Sequence, residues 1–138
     1  MLISKFGTIS KNVISEYEDI HEIKLPEQYR LFLEKYNGGE TPNTSFNING
    51  VSSDLRGMCG IGKVKFSLDA VCAEEIHGTS YLAIGVDSFG NDILINLSDG
   101  AIAFKDHENG QCRKIADSLK AFLAGCVSRP INKSAIKS

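Results

Sequence analysis

Apolar side chains recur along this chain with two different periods, and the change of period divides it into segments. Ile9, Val13, Tyr17 and Ile20 are spaced by four, four and three residues. That spacing predicts a helix over 9–20 with one apolar face, and it leaves Glu16, Glu18 and Asp19 on the wet side. Leu25, Tyr29, Phe32, Leu33 and Tyr36 form a second helical stripe. Pro26 suits the first turn of that helix, where its missing N–H would have no partner anyway. Asn37-Gly38-Gly39 stops it, because these residues reach left-handed φ/ψ cheaply.

Period two takes over at residue 81. Leu82, Ile84 and Val86, then Ile93, Ile95 and Leu97, then Ile102 and Phe104 alternate with their neighbours. This predicts a three-strand antiparallel meander over 81–105. The neighbours are themselves small or aliphatic, so much of both sheet faces should be covered. Asp99-Gly100 reads as a tight hairpin turn with positive φ at both residues. A last helix is expected over 117–126, capped by Asp117 or Ser118, with Leu119, Phe122, Leu123 and Cys126 inward and Arg129-Pro130 at its end. Between these blocks, Phe46, Ile48 and Val51 suggest a short strand around an Asn49-Gly50 turn, and 58–61 and 64–66 suggest further short strands. Ser67-Leu68-Asp69 opens a candidate helix that Gly78 would end. Helices, then a run of strands, then a helix is an α+β order: helices packed on a mostly antiparallel sheet.

The chain's 138 residues, 42% of them hydrophobic, suit one globular domain over 1–128 followed by a basic, flexible tail over 129–138. No apolar run is long enough to span a membrane, and the first residues lack a secretory h-region, so a cytoplasmic protein is expected. Cys59, Cys72, Cys112 and Cys126 form no CxxC pair and have no zinc-type spacing to histidine; without an export signal they read as reduced, small buried side chains. The net charge of -2 gives no general attraction to nucleic acid. Its distribution is uneven. Asp87, Asp92, Asp99, Asp106 and Glu108 face a single cation, Lys105, within 81–110, whereas 111–138 holds Arg113, Lys114, Lys120, Arg129, Lys133 and Lys137 against Asp117 alone.

Candidate chemistry is sparse. The glycines of RGMCGIG (56–62) do not have phosphate-loop spacing and read as turns. There is no GxSxG elbow, and Cys59 could form a thiol dyad only with a histidine brought near by folding. His21, His77 and His107 share no metal-ligand spacing. The densest polar cluster is Asp87-Ser88-Phe89-Gly90-Asn91-Asp92 together with Asp106-His107-Glu108. In a meander the turn after the first strand and the end of the third lie at the same sheet end, so the two groups can share a rim. Three readings stay open for it: ordinary turn chemistry, a protein-binding rim, or a cation or acid–base site. It lacks EF-hand register. Phe89 is out of place among polar neighbours. It either tucks back into the core, the ordinary outcome, or is presented as an interface anchor.

These residues also carry a resemblance. LPEQYRLFLEKYNGG (25–39), YLAIGVDSFGNDILINLS (81–98), AIAFKDHE (101–108) and IADSLKAFLAG (115–125) resemble the SUKH superfamily, which includes fungal Smi–Knr cell-wall-synthesis regulators and many bacterial immunity proteins. The chain departs from many members in having no tryptophan. The resemblance implies no cofactor, no catalytic residues, and a protein partner. Bacterial members typically bind and block a toxin, often a nuclease, encoded beside them. On this reading Asp87, Phe89, Asn91, Asp92, Asp106, His107 and Glu108 form the partner-binding patch. A regulatory module without a toxin and a small hydrolase using the same acids are the competing readings.

Overall fold

The structure is a computed structural model and describes residues 3–68 and 81–128. Among these, three helices pack with an eight-strand antiparallel sheet, so the fold is α+β. In chain order the elements are β1 (Ser4–Lys5), α1 (Lys11–His21), α2 (Glu27–Tyr36), β2 (Gly39–Ile48), β3 (Val51–Met58), β4 (Tyr81–Val86), β5 (Asp92–Asn96), β6 (Ile102–Lys105), β7 (Cys112–Ala116), α3 (Leu119–Gly125) and β8 (Cys126–Ser128). The strands lie in sequence order from β1 to β7, and β8 pairs with β2.

The second helix forms as its pattern predicts. Leu25, Tyr29, Phe32 and Leu33 are buried, Pro26 sits at the N-cap, and Asn37 ends the helix in the left-handed region with φ 47°. Burial holds the Tyr29 phenol well above its ordinary pKa. It therefore stays a neutral donor, and its hydroxyl gives a 2.8 Å hydrogen bond to the Cys59 carbonyl, tying α2 to the end of β3.

The first helix differs from its predicted face. Ser10 caps it by accepting from the Val13 N–H, which leaves Ile9 outside. Its inward side chains are Ile14, Tyr17 and Glu18, whereas Ile20 is 69% exposed and Val13 is exposed as well. Glu18, expected on the wet side, is buried because the α1–α2 connection needs an acceptor. Its carboxylate takes the Leu25 N–H at 2.7 Å and lies 3.8 Å from the Arg30 guanidinium. A stripe spaced 4-4-3 cannot tell these two faces apart when each carries apolar residues.

Strands β2 and β3 make one long hairpin in place of the short strand expected. Asn49 and Gly50 both have positive φ, 52° and 82°, and Ile48 pairs with Val51 across this two-residue turn. Of the two short strands expected over 58–61 and 64–66, Met58 is the end of β3 and the rest is a loop closed by a single bridge between Gly60 and Ser67. Asn37 holds this loop with both ends of its amide, donating to the Ile61 carbonyl at 3.0 Å and accepting its N–H at 2.8 Å. The helix expected from Ser67 to Gly78 falls mostly outside the described residues, as does the 129–138 tail.

The meander over β4, β5 and β6 is present as expected, with a register shift between Ala83 and Gly85 on β4. Leu82, Ala83, Ile84, Ile93, Leu94 and Ile95 are all buried, so both faces of the central strands are covered. The Asp-Gly turn is corrected: Gly100 alone has positive φ, and the loop closes through Asn96, whose side chain accepts from Ser98 and Asp99. The sheet curls enough to bring side chains of β2 and β6 together. Phe46 on β2 packs against Phe104 on β6 and Phe122 on α3, with centroids 6.1 and 5.4 Å apart. The last helix begins at Ser118, which caps the Ala121 N–H, and ends at Gly125, earlier than expected. Cys126 instead turns extended and pairs with Phe46.

Asn37→Ala should remove two part-buried hydrogen bonds and the residue suited to the left-handed cap. We expect a loss of about 2–3 kcal/mol in urea denaturation. A loss below about 0.5 kcal/mol, the range of ordinary surface substitutions, would mean that the 60–61 loop is held by other contacts.

Candidate functional site

At one end of the sheet the β4–β5 turn (87–91) and the β6–β7 loop (106–111) stand side by side. The pairing explains why. Gly57 is opposite Val86, so β3 overshoots the end of β4, and Ser53 and Asp54 reach the turn. Asp92 is opposite Lys105, so β5 begins where β6 ends.

Asp87 organises the turn from inside. It is buried, and its Oδ1 accepts the N–H groups of Phe89 and Asn91 at 2.9 and 2.8 Å. Its Oδ2 accepts from the Ser53 hydroxyl at 2.6 Å and the Asn91 amide at 2.8 Å. With four donors satisfied, this carboxylate has no free edge for a partner. Asn91 carries the connection onward, accepting the His107 N–H at 3.0 Å. A side chain at Gly90 would touch the His107 ring, so the two loops are in contact. Ser88 is bonded through its N–H and hydroxyl to the Asp54 carboxylate, which fixes the turn to β3. Asp106 accepts the Glu108 N–H at 2.8 Å and caps its own loop.

The predicted residues therefore converge on one rim but have different roles. Phe89 is 67% exposed, contrary to the expectation that it tucks inward; Asp87 occupies the turn's interior in its place. His107 and Glu108 are exposed, and Asn91, Asp92 and Asp106 are half-buried. Asp92 faces Lys105 across the ladder, which offsets part of its charge. Ser53 and Asp54 were missed by sequence reasoning. They lie 34 residues before their partners, and no local pattern marks them. Beyond Asp54 and Ser88 the rim continues into a polar depression of about 290 Å³ at the irregular stretch of β2, lined by Glu40, Thr44 and Arg56 among others.

What this arrangement can do chemically is narrow. Among the described residues, no group of three or more His, Cys, Asp or Glu side chains is placed to hold a metal ion. The thiol-dyad reading of Cys59 does not hold, because Cys59 is buried and disulfide-bonded; this also corrects its assignment as a reduced thiol. Cys112 is exposed and Cys126 buried, and burial pushes Cys126 up to about 11, so it is protonated at neutral pH. No helix among the described residues is long and apolar enough to cross a membrane.

The rim is thus a set of turns that satisfies its own backbone and leaves the Phe89 ring and Glu108 exposed. The model of the SMI1/KNR4 family (SUKH-1) matches residues 8–125, and the chain belongs to that family. The match runs from just before α1 to the end of α3 and includes both loops of the rim. No curated protein matches the chain. SUKH proteins commonly include toxin immunity proteins and are generally non-catalytic.

Asp87→Asn places a donor among donors. We expect it to cost about 1–3 kcal/mol and to speed hydrogen exchange at the Phe89 and Asn91 amides. Unchanged exchange at both would show that the turn does not depend on this carboxylate. In the folded chain at pH 8, iodoacetamide should alkylate exposed Cys112 and spare Cys126 until denaturant is added. Equal labelling by mass spectrometry would contradict the buried, protonated state of Cys126.

Proposed function

We propose that this chain is an immunity protein that binds a cognate toxin in the cytoplasm of the cell producing it and neutralises it by covering its working surface. A nuclease is the favoured toxin, and the chain performs no chemistry of its own. The observation that carries this reading is Phe89, exposed on a turn whose backbone amides Asp87 holds from inside. The same rim carries the exposed Glu108 and the half-buried Asp106 and Asp54. A nuclease must offer cations where it holds phosphates, so an acidic rim suits that surface and competes with substrate for it. Charge steers the encounter, and a desolvated aromatic anchor slows its reversal.

The alternative is a regulatory interaction module with no toxin partner, as in the fungal Smi–Knr members. It would use the same rim. The two readings separate on the adjacent open reading frame. If its product arrests growth and this chain restores it, the immunity reading stands; if the product is harmless, it falls.

With that toxin in hand, Phe89→Ala should raise the dissociation rate about 10–30-fold, since the ring is exposed and its loss does not disturb the core. Glu108→Lys should instead lower the association rate and flatten its salt dependence. Surface plasmon resonance distinguishes the two effects. Unchanged rates in both folded variants would reject the rim as the binding surface.

A further inference from the structure

A second surface lies apart from the rim, between α2 and α3. Leu31, Phe32, Leu119 and Leu123 line an apolar groove of about 330 Å³, with Lys35 and Lys120 on its lips. Leu31 is 56% exposed, although Tyr29, Phe32 and Leu33 on the same helix are buried. The groove has fixed walls. The Gln28 side chain accepts the Lys120 N–H at 2.8 Å, tying the first turn of α2 to the start of α3. Among the described residues no carboxylate lies within ion-pair distance of either lysine ammonium.

We propose that this groove docks an amphipathic helix of a partner protein, with leucine-type side chains on one face and acidic residues flanking them. An apolar floor between two helices accepts side chains at helical spacing. The lysines on its lips select acidic flanks, the opposite charge preference to that of the rim, so the two surfaces call for different partner segments. Charge also argues against one other occupant, the end of the chain itself. The chain's own 129–138 segment carries Arg129, Lys133 and Lys137 and no Asp or Glu, so it shares the sign of the lips.

The test titrates the isotope-labelled full chain with two synthetic amphipathic peptides that share one leucine face, one flanked by glutamates and the other by lysines. The glutamate peptide should shift the amides of Leu31, Lys35, Lys120 and Leu123, bind less tightly as salt rises, and bind at least about tenfold better than the lysine peptide. Leu31→Ser, at an exposed position, should weaken it by a similar factor without loss of fold. Phe89→Ala should leave this titration unchanged, so failure here and failure of the rim are separate results. Equal binding of both peptides, shifts elsewhere, or none would overturn the proposal. So would concentration-dependent self-association of the chain that Leu31→Ser abolishes, because the occupant would then be a second copy.

Discussion

A carboxylate withdrawn from water at the end of a strand must find donors or destabilise the fold, and Asp87 finds four. Its partners come from three places: a hydroxyl on β3, two backbone amides of its own turn, and the side chain of Asn91. Asn91 then passes the constraint to His107 on the next loop. The ends of β3, β4, β5 and β6 are thereby joined through polar groups rather than packing. The carboxylate lies inside the turn, and the ring of Phe89 stands in solvent. What the rim offers a partner thus follows from what its centre has already bound.

The same device recurs. Glu18 is buried beneath the α1–α2 connection and Asn37 beneath the 60–61 loop, each bonded to backbone groups that no helix or strand could satisfy. Among the described residues Glu18, Asn37 and Asp87 thus serve connections, whereas the buried Thr41 and Thr44 lie within β2. Fixed connections matter for a binding protein, because loops ordered before the encounter lose less entropy when a partner arrives. The curl of the sheet adds to this by closing Phe46 against Phe104 and Phe122 and holding α3 in place beside α2.

Much of this was legible in the residue pattern. The α2 stripe with its Pro26 and Asn37 boundaries, the Asn49-Gly50 turn and the β4–β6 meander each rest on local signals that tertiary contacts reinforce. The α1 face was not legible, because Glu18 is buried for the sake of a backbone amide seven residues away. Strand β7 was missed since, of its five residues, only Ile115 is buried, and an edge strand needs no alternation. Strand β8 owes its conformation to Phe46, far away in sequence. The rim's membership was legible from the meander's geometry. Its internal division of labour was not, because Asp87 and Asp106 look alike in sequence and differ only in what surrounds them.

The central claim is that the 87–91 turn and the 106–111 loop form a fixed edge on which another protein docks. Hydrogen-exchange mass spectrometry of the chain, alone and saturated with the product of the adjacent open reading frame, tests it most directly. The account predicts new protection over 88–91 and 106–111, with little change in the already protected central strands. Protection confined to other surfaces, with both loops exchanging as in the free chain, would contradict it.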